Sequence, residues 1–173
     1  MQIIGLLAIH RGIALAIALM GIATIAAALW FEHVVELQPC LLCLYQRWPY
    51  YAAIPLALAI TLLAREPGPA RAGLALIGLI FLAGTGLALY HVGVEMGVFL
   101  GPTGCGGEAA ARATDMDDFR RQLETVRVID CSQPAWIFLG ISMAGWNAVI
   151  SFTIALIAFA SAATSSGKIA LTD

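Results

Sequence analysis

Residues 13–30 read IALAIALMGIATIAAALW, a stretch without a single charged side chain. A helix needs about 20 mostly apolar residues to cross a bilayer core about 30 Å thick, so this stretch predicts a membrane span. The rest of the chain has the same character. Of its 173 residues, 61% are hydrophobic and 12% are charged, whereas soluble domains average about 45–50% and about 25%. We therefore expect one integral membrane domain covering residues 1–173.

Three further stretches have the length and composition of membrane spans, at residues 44–64, 72–90 and 143–163. Four crossings bring both chain termini to one side of the bilayer. The same parity places the two longer loops, 31–43 and 91–142, together on the opposite side. The sequence thus predicts an all-α fold, a bundle of four transmembrane helices.

Basic residues near the span ends predict the orientation. Arg11, Arg65, Arg71 and Lys168 lie on the side of the termini, and the positive-inside rule makes that side cytoplasmic. The long loop also contains four arginines, but most are remote from span ends, where the rule weakens. A cleavable signal peptide ending near Ala28 is an alternative that would leave three spans. The first apolar stretch exceeds the usual h-region of about 7–15 residues, so we prefer a span.

The long loop contains a short amphipathic pattern. Met116, Phe119, Leu123 and Val126 recur at helical spacing, with charged residues between them. This pattern predicts a surface helix of about three turns. Such a helix can lie on the bilayer surface or pack against other loop residues, and the pattern does not decide between the two.

The four cysteines lie outside the apolar stretches, and parity places them all on one face. Cys40-Leu-Leu-Cys43 follows Pro39 and enters the second span. A helix start favours a thiolate, which we expect at Cys43. Cys105 and Cys131 lie in the long loop, which is long enough to let them form a disulfide. Two dithiols within reach can exchange through mixed disulfides.

Other interpretations of the cysteines remain open at this point. The two pairs can be static disulfides, or all four cysteines can bind one zinc ion. Cys105 and Cys131 are 26 positions apart, which does not match the paired spacing of zinc ribbons, so we expect no metal. Leu44 follows Cys43 where haem attachment of the c type requires histidine.

The net charge of −2 and the lack of basic clusters give no reason to expect nucleic acid.

Two further polar residues are candidates for cofactor binding. Arg47 follows Cys43 by one helical turn, and a charge just inside a span is costly, which indicates function. Its guanidinium can stabilise a Cys43 thiolate or the oxygen of a reduced quinone, or it can simply extend to the headgroups. His91, at the matching end of the third span, is either a second donor or a hydrogen-bonded bystander.

With these features the chain resembles the disulfide bond formation protein B (DsbB) family over almost its whole length. The likeness rests on Gln38-Pro-Cys-Leu-Leu-Cys-Leu-Tyr-Gln-Arg47, on Tyr90-His91, and on Cys105 and Cys131. It implies a bacterial inner-membrane oxidoreductase that uses ubiquinone or menaquinone. Its cysteine loops would face the periplasm, and its partner would be a periplasmic DsbA-like oxidase with a thioredoxin fold. Gln46 departs from the pattern, since some relatives have an acidic residue there.

The resemblance also implies a role for each cysteine. The reduced partner attacks a Cys105–Cys131 disulfide at Cys105, and Cys131 then exchanges with Cys40. This frees Cys43 toward the quinone, with Arg47 assisting. Rival hypotheses are a specialised paralogue with a dedicated thiol partner, a protein like the vitamin K epoxide reductases, and a non-catalytic membrane assembly protein with static disulfides. A CxxC at the second span favours the DsbB pattern over the epoxide reductases.

Overall fold

The structure is a computed structural model that describes residues 2–102, 105, 115–117, 120 and 130–164. Most of the amphipathic helix predicted at 116–126 lies outside the described residues. Within them the helices and strands, in chain order, are α1 Gln2–His33, α2 Leu41–Tyr45, α3 Trp48–Leu63, α4 Pro67–Glu95, β1 Ile137–Phe138, β2 Ile141–Ser142 and α5 Met143–Ala163.

Three of these helices, α1, α4 and α5, are long and apolar enough to cross a membrane. The first and third predicted spans, 13–30 and 72–90, lie inside α1 and α4, which both extend beyond them. Helix α3 has 16 residues and is preceded by the short α2. Together α1, α3, α4 and α5 form a four-helix bundle, so the predicted all-α membrane fold is confirmed.

The second predicted span, 44–64, is not one straight helix. A turn at Gln46 and Arg47 separates α2 from α3. Pro49 lies in the first turn of α3. Because proline has no N–H, it cannot donate to the carbonyl of Tyr45, and the helix breaks there. The CxxC segment therefore belongs to a short helix of its own that precedes α3.

Small residues let the helices approach closely. Helix α4 packs most extensively on α5, and α1 packs on α3. A Cβ added to Gly78 would lie 2.9 Å from the Phe159 ring, so glycine is needed where α4 meets α5.

At the end nearest the termini, Arg11 Nε donates to Thr61 O at 2.6 Å and Arg71 Nε to Ala162 O at 2.8 Å. These bonds satisfy carbonyls at the C-terminal ends of α3 and α5.

A β-hairpin, which the apolar pattern did not predict, leads into α5. Strand β1 pairs with β2 in antiparallel register. The two-residue turn has positive φ at both Leu139 (52°) and Gly140 (78°), as a type I′ turn requires. Trp146 Nε1 donates to Phe138 O at 3.1 Å and ties the hairpin to α5.

Candidate dithiol active site

The CxxC pair lies at the start of α2, in the segment that Pro39 introduces. Cys40 is the N-cap residue, and its Sγ accepts a hydrogen bond from the Cys43 N–H at 3.2 Å. The two Sγ atoms are 2.6 Å apart. The pair can therefore form a disulfide with little movement, and in the reduced state one thiol can donate a hydrogen bond to the other sulfur.

His91, near the end of α4, faces the same cysteine. Its Nε2 lies 3.6 Å from Cys40 Sγ, and its Nδ1 lies 2.6 Å from Gln46 Nε2. The ring is 2% exposed. Glu95, one turn further along α4, places Oε1 4.0 Å from Nε2. His91 therefore contacts the dithiol directly.

These contacts give the two thiols opposite tendencies. The hydrogen bond from Cys43 is the largest factor that lowers the pKa of Cys40, to about 5; His91 also lowers it, and burial opposes both. Donation to Cys40 and burial raise the pKa of Cys43. We predicted the thiolate at Cys43, but the free N–H of the helix start meets Cys40 instead, because Cys40 occupies the N-cap. The preferred thiolate of the reduced pair is therefore Cys40.

Arg47 makes an ion pair that the sequence pattern did not indicate. Its Nη1 lies 2.6 Å from Glu32 Oε2, near the end of α1, and the two side chains are 12% and 24% exposed. The prediction that Arg47 lies one helical turn after Cys43 assumed a regular helix, and the turn after Tyr45 interrupts that helix. Arg47 and Cys43 nevertheless line the same cavity.

The other two cysteines are bonded to each other and lie beside the CxxC pair. Cys105 and Cys131 form a disulfide with a Cα–Cα distance of 5.3 Å. Cys131 is fully buried in one apolar cluster with Cys40, Leu42 and Val94, and Cys105 packs at the edge of this cluster. The fold thus brings the two cysteine pairs together, although they are distant in sequence.

The bonded pair removes two ligands from the four-cysteine zinc alternative. Among the described residues, Cys40, Cys43 and His91 do place their ligand atoms within 4.8 Å of one another. Such a trio has donors that zinc accepts. Their short mutual hydrogen bonds are equally those of a reduced dithiol with its histidine neighbour.

An apolar cavity of about 530 Å³ opens beside Cys43, between α1, the α2–α3 turn and α5. Its walls are mainly alanine, methionine, isoleucine and aromatic side chains. Phe31 and Trp136 meet at one wall, with ring centroids 5.0 Å apart. Polar groups are few: the cavity lining includes Gln46, Arg47 and Asn147. A large apolar cavity with a few convergent polar groups is typical of a site for a small, mostly apolar molecule.

Sequence reasoning missed several residues of this site. Glu32, Glu95 and Asn147 were not singled out, and Gln46 was noted only as a departure from a pattern. Glu32 lies two residues and Glu95 five residues beyond the end of a predicted span, and a carboxylate this close to the membrane is costly enough to have been a signal. Asn147 carried a similar signal, since it is a polar residue inside an apolar span.

Comparison with known proteins places this arrangement in a family. The sequence model of the family described as "Disulfide bond formation protein DsbB" matches residues 10–161. The chain belongs to the DsbB family. The DsbB-family relative "Disulfide bond formation protein B" of Aromatoleum aromaticum is 32% identical over 142 residues, which cover 75% of this chain and 78% of the relative.

Two further relatives with the same name are similar. That of Marinobacter nauticus is 30% identical over 133 residues, covering 72% of this chain and 75% of its own. That of Escherichia coli K12 is 27% identical over 139 residues, covering 79% and 76%. No solved structure matches the chain. As a DsbB-family member, the chain is a bacterial multi-pass membrane oxidoreductase of disulfide bond formation.

Proposed function

We propose that this DsbB-family protein oxidises the dithiol of a soluble, DsbA-like oxidase with a thioredoxin fold and delivers the two electrons to a membrane quinone. One observation carries the proposal. Cys131 and Cys40 are buried in one apolar cluster, while the other half of the CxxC pair, Cys43, lines an apolar cavity. The four cysteines therefore form a continuous route from a loop disulfide to a membrane pocket.

The first exchange takes place at Cys105. A thiolate of the reduced partner attacks Cys105 Sγ, forms a mixed disulfide, and displaces Cys131 as a thiolate. Cys105 is partly exposed and Cys131 is fully buried. Access thus favours attack on the outer sulfur, and the released thiolate stays inside the cluster.

The second exchange passes the electrons inward. The Cys131 thiolate attacks Cys40 of an oxidised CxxC pair, so a Cys40–Cys131 bond forms and Cys43 leaves as the thiolate. While Cys40 is bonded to Cys131 it can no longer compete for the negative charge. The helix start and the cavity polar groups then act on Cys43 alone. This order of steps explains why Cys40 is the thiolate of the fully reduced pair, whereas Cys43 is the thiolate during turnover.

The volume and the mainly apolar lining of the cavity support a quinone as the electron acceptor. When bound, the quinone, ubiquinone or menaquinone, supplies a two-electron, two-proton acceptor for the thiols. Apolar side chains of α1 and α5 would hold its ring and tail, and Arg47, anchored by Glu32, would donate a hydrogen bond to a ring oxygen. Overall, two thiols lose two electrons and two protons and become one disulfide.

We further propose that the cysteine face is periplasmic and the termini are cytoplasmic. Arg11 and Arg71 lie at the opposite end of the bundle from Cys40, beside the C-terminal ends of α3 and α5. The positive-inside rule favours this end as the cytoplasmic one. A periplasmic cysteine face also agrees with a compartment in which disulfides persist.

Stopped-flow mixing of the purified protein with a reduced DsbA-type oxidase and a soluble quinone tests the cysteine roles. Cys43→Ser is expected to abolish quinone reduction, and Cys105→Ser to abolish oxidation of the partner. Quinone turnover that survives in Cys43→Ser would refute these roles. If neither pair changes redox state when quinone is removed and restored, the cysteines are static disulfides.

The cavity is tested by a matched pair of substitutions on α1. Ala28 lines the cavity, whereas Ala26 is exposed and does not. Ala28→Phe is expected to raise the KM for quinone by about tenfold or more, since a phenyl ring would occupy space that the quinone needs. Ala26→Phe should leave the KM unchanged. Equal effects of the two substitutions would argue against this cavity as the quinone site.

A further inference from the structure

A line of hydrogen bonds runs from α3 and α5 to the CxxC pair. Tyr50 OH donates to Asn147 Oδ1 at 2.6 Å, and Asn147 Nδ2 donates to Gln46 Oε1 at 2.6 Å. Gln46 Nε2 lies 2.6 Å from His91 Nδ1, and His91 Nε2 lies 3.6 Å from Cys40 Sγ. We infer that Asn147 is a positioning residue that, through Gln46, keeps the Nε2–H of His91 directed at Cys40.

The direction of the line follows from what each group can do. A side-chain amide donates only through nitrogen and accepts only through oxygen. The Tyr50 hydroxyl occupies the Asn147 oxygen, so the Asn147 nitrogen faces Gln46. The Gln46 oxygen accepts that bond, and its nitrogen is left to donate to His91 Nδ1. A neutral histidine whose Nδ1 accepts must carry its proton on Nε2.

The end of the line at Cys40 selects the same direction. Cys40 Sγ already accepts the Cys43 N–H, so as a thiolate it offers only lone pairs to His91. With all amides reversed, His91 would turn an unprotonated Nε2 toward those lone pairs, which is repulsive. At the other end Ser151 Oγ, 3.4 Å from Tyr50 OH, can donate to it. Every donor in the line therefore points toward Cys40.

Burial makes the line depend on each member. Tyr50, Gln46 and His91 are 2%, 6% and 2% exposed, so water does not replace a lost partner easily. Without the Asn147 amide, the Gln46 oxygen has no donor among its described contacts. Gln46 is then free to turn its oxygen toward His91 Nδ1, which moves the ring proton away from Cys40.

The inference rests on the proposed function only for its effect on turnover. Its test measures ionisation of Cys40 and needs neither quinone nor partner, so the two can fail separately. The other titratable groups near Cys40 are Cys43 from α2 and His91 and Glu95 from α4, and Glu95 Oε1 lies 4.0 Å from the same His91 Nε2 that faces Cys40. They stay in place, except that serine replaces Cys43 and keeps a hydroxyl donor.

The experiment uses the full-length protein with Cys40 as its single cysteine and serine at the other three positions. The ultraviolet absorbance of the thiolate is followed against pH. Asn147→Leu, of similar size but without hydrogen bonds, is expected to raise the midpoint by about one pH unit or more, a tenfold change in equilibrium. Thr153→Val, on the exposed face of the same helix, should leave the midpoint unchanged. An unchanged midpoint in Asn147→Leu overturns the inference.

Two variants separate positioning from folding. Tyr50→Phe removes the hydroxyl that orients Asn147 with little change in packing, and should shift the midpoint in the same direction. Gln46→Glu added to Asn147→Leu supplies a carboxylate that accepts from His91 Nδ1, so a doubly protonated ring can donate to Cys40 without Asn147. This double variant should recover a lower midpoint. If Tyr50→Phe has no effect and the double variant does not recover, Asn147 acts only in packing.

Discussion

Ionisation of Cys40 gives the most direct quantitative prediction. Its pKa is lowered to about 5 from an ordinary value of 9.0. At pH 7 about 99% of the reduced protein would carry a Cys40 thiolate, against about 1% for an unperturbed thiol. Between pH 5 and pH 9 the unfolded chain binds more protons than the folded chain, because its Cys40 thiol is still mostly protonated there. The reduced folded protein therefore gains stability as pH rises from about 5 to 9, by about 3 kcal/mol at pH 7.

The measurement is a pH titration of thiolate absorbance in the protein with Cys40 as its single cysteine. The same protein with Cys40→Ser supplies the baseline. A midpoint near 5 is expected, with the thiolate lost below it. Alkylation rates alone are a poor substitute, because the nucleophilicity of a thiolate falls as its pKa falls and offsets much of the larger thiolate fraction.

Removing His91 separates its contribution to the low pKa of Cys40 from that of the hydrogen bond with position 43. His91→Phe should raise the midpoint by less than loss of the Cys43 hydrogen bond does, since the bond from Cys43 is the larger factor. A midpoint of 8 or above in the parent protein would refute Cys40 as the preferred thiolate of the reduced pair.

Two further predictions concern the ion pair and the hairpin. Arg47→Ala leaves Glu32 unpaired beside the cavity, and the KM for quinone should rise about tenfold, since hydrogen bonds to charged groups contribute about 1.5–3 kcal/mol. Arg47→Lys should recover part of the lost quinone affinity. An unchanged KM in Arg47→Ala would show that Arg47 only reaches the headgroups. Ser142→Ala removes the N-cap bond that Gly145 N–H donates and the bond that Ser142 Oγ donates to Glu95 Oε2, so the free energy of unfolding should fall by about 1 kcal/mol or more in detergent denaturation. Ser132→Ala, which loses only a solvent-exposed hydrogen bond to Asp130, serves as its control, and an equal loss in both would contradict a stabilising role for Ser142.

The sequence predicted the four helices of the bundle and one shared end for the two cysteine pairs, because both follow from the length and order of the apolar segments along the chain. It could not predict which faces of the helices meet, since that depends on rotation about each axis. Asn147 reaches Gln46, and Glu32 reaches Arg47, only because of this packing. The break at Pro49 was readable in principle, because the proline lies within the second predicted span. The hairpin turn at Leu139 depends on a strained backbone that leucine itself does not favour.

The burial of the inner sulfurs has a consequence for kinetic insulation. Cys40 is 6% exposed and Cys131 is fully buried, whereas Cys105 lies at the edge of their cluster. Small soluble thiols need access to a sulfur before they can exchange with it. They can therefore reach Cys105 of the outer disulfide more easily than they reach Cys131 or Cys40. The apolar cluster therefore shields Cys40 and Cys131 from soluble thiols, and the outer disulfide is the place where a thiol from solution can react.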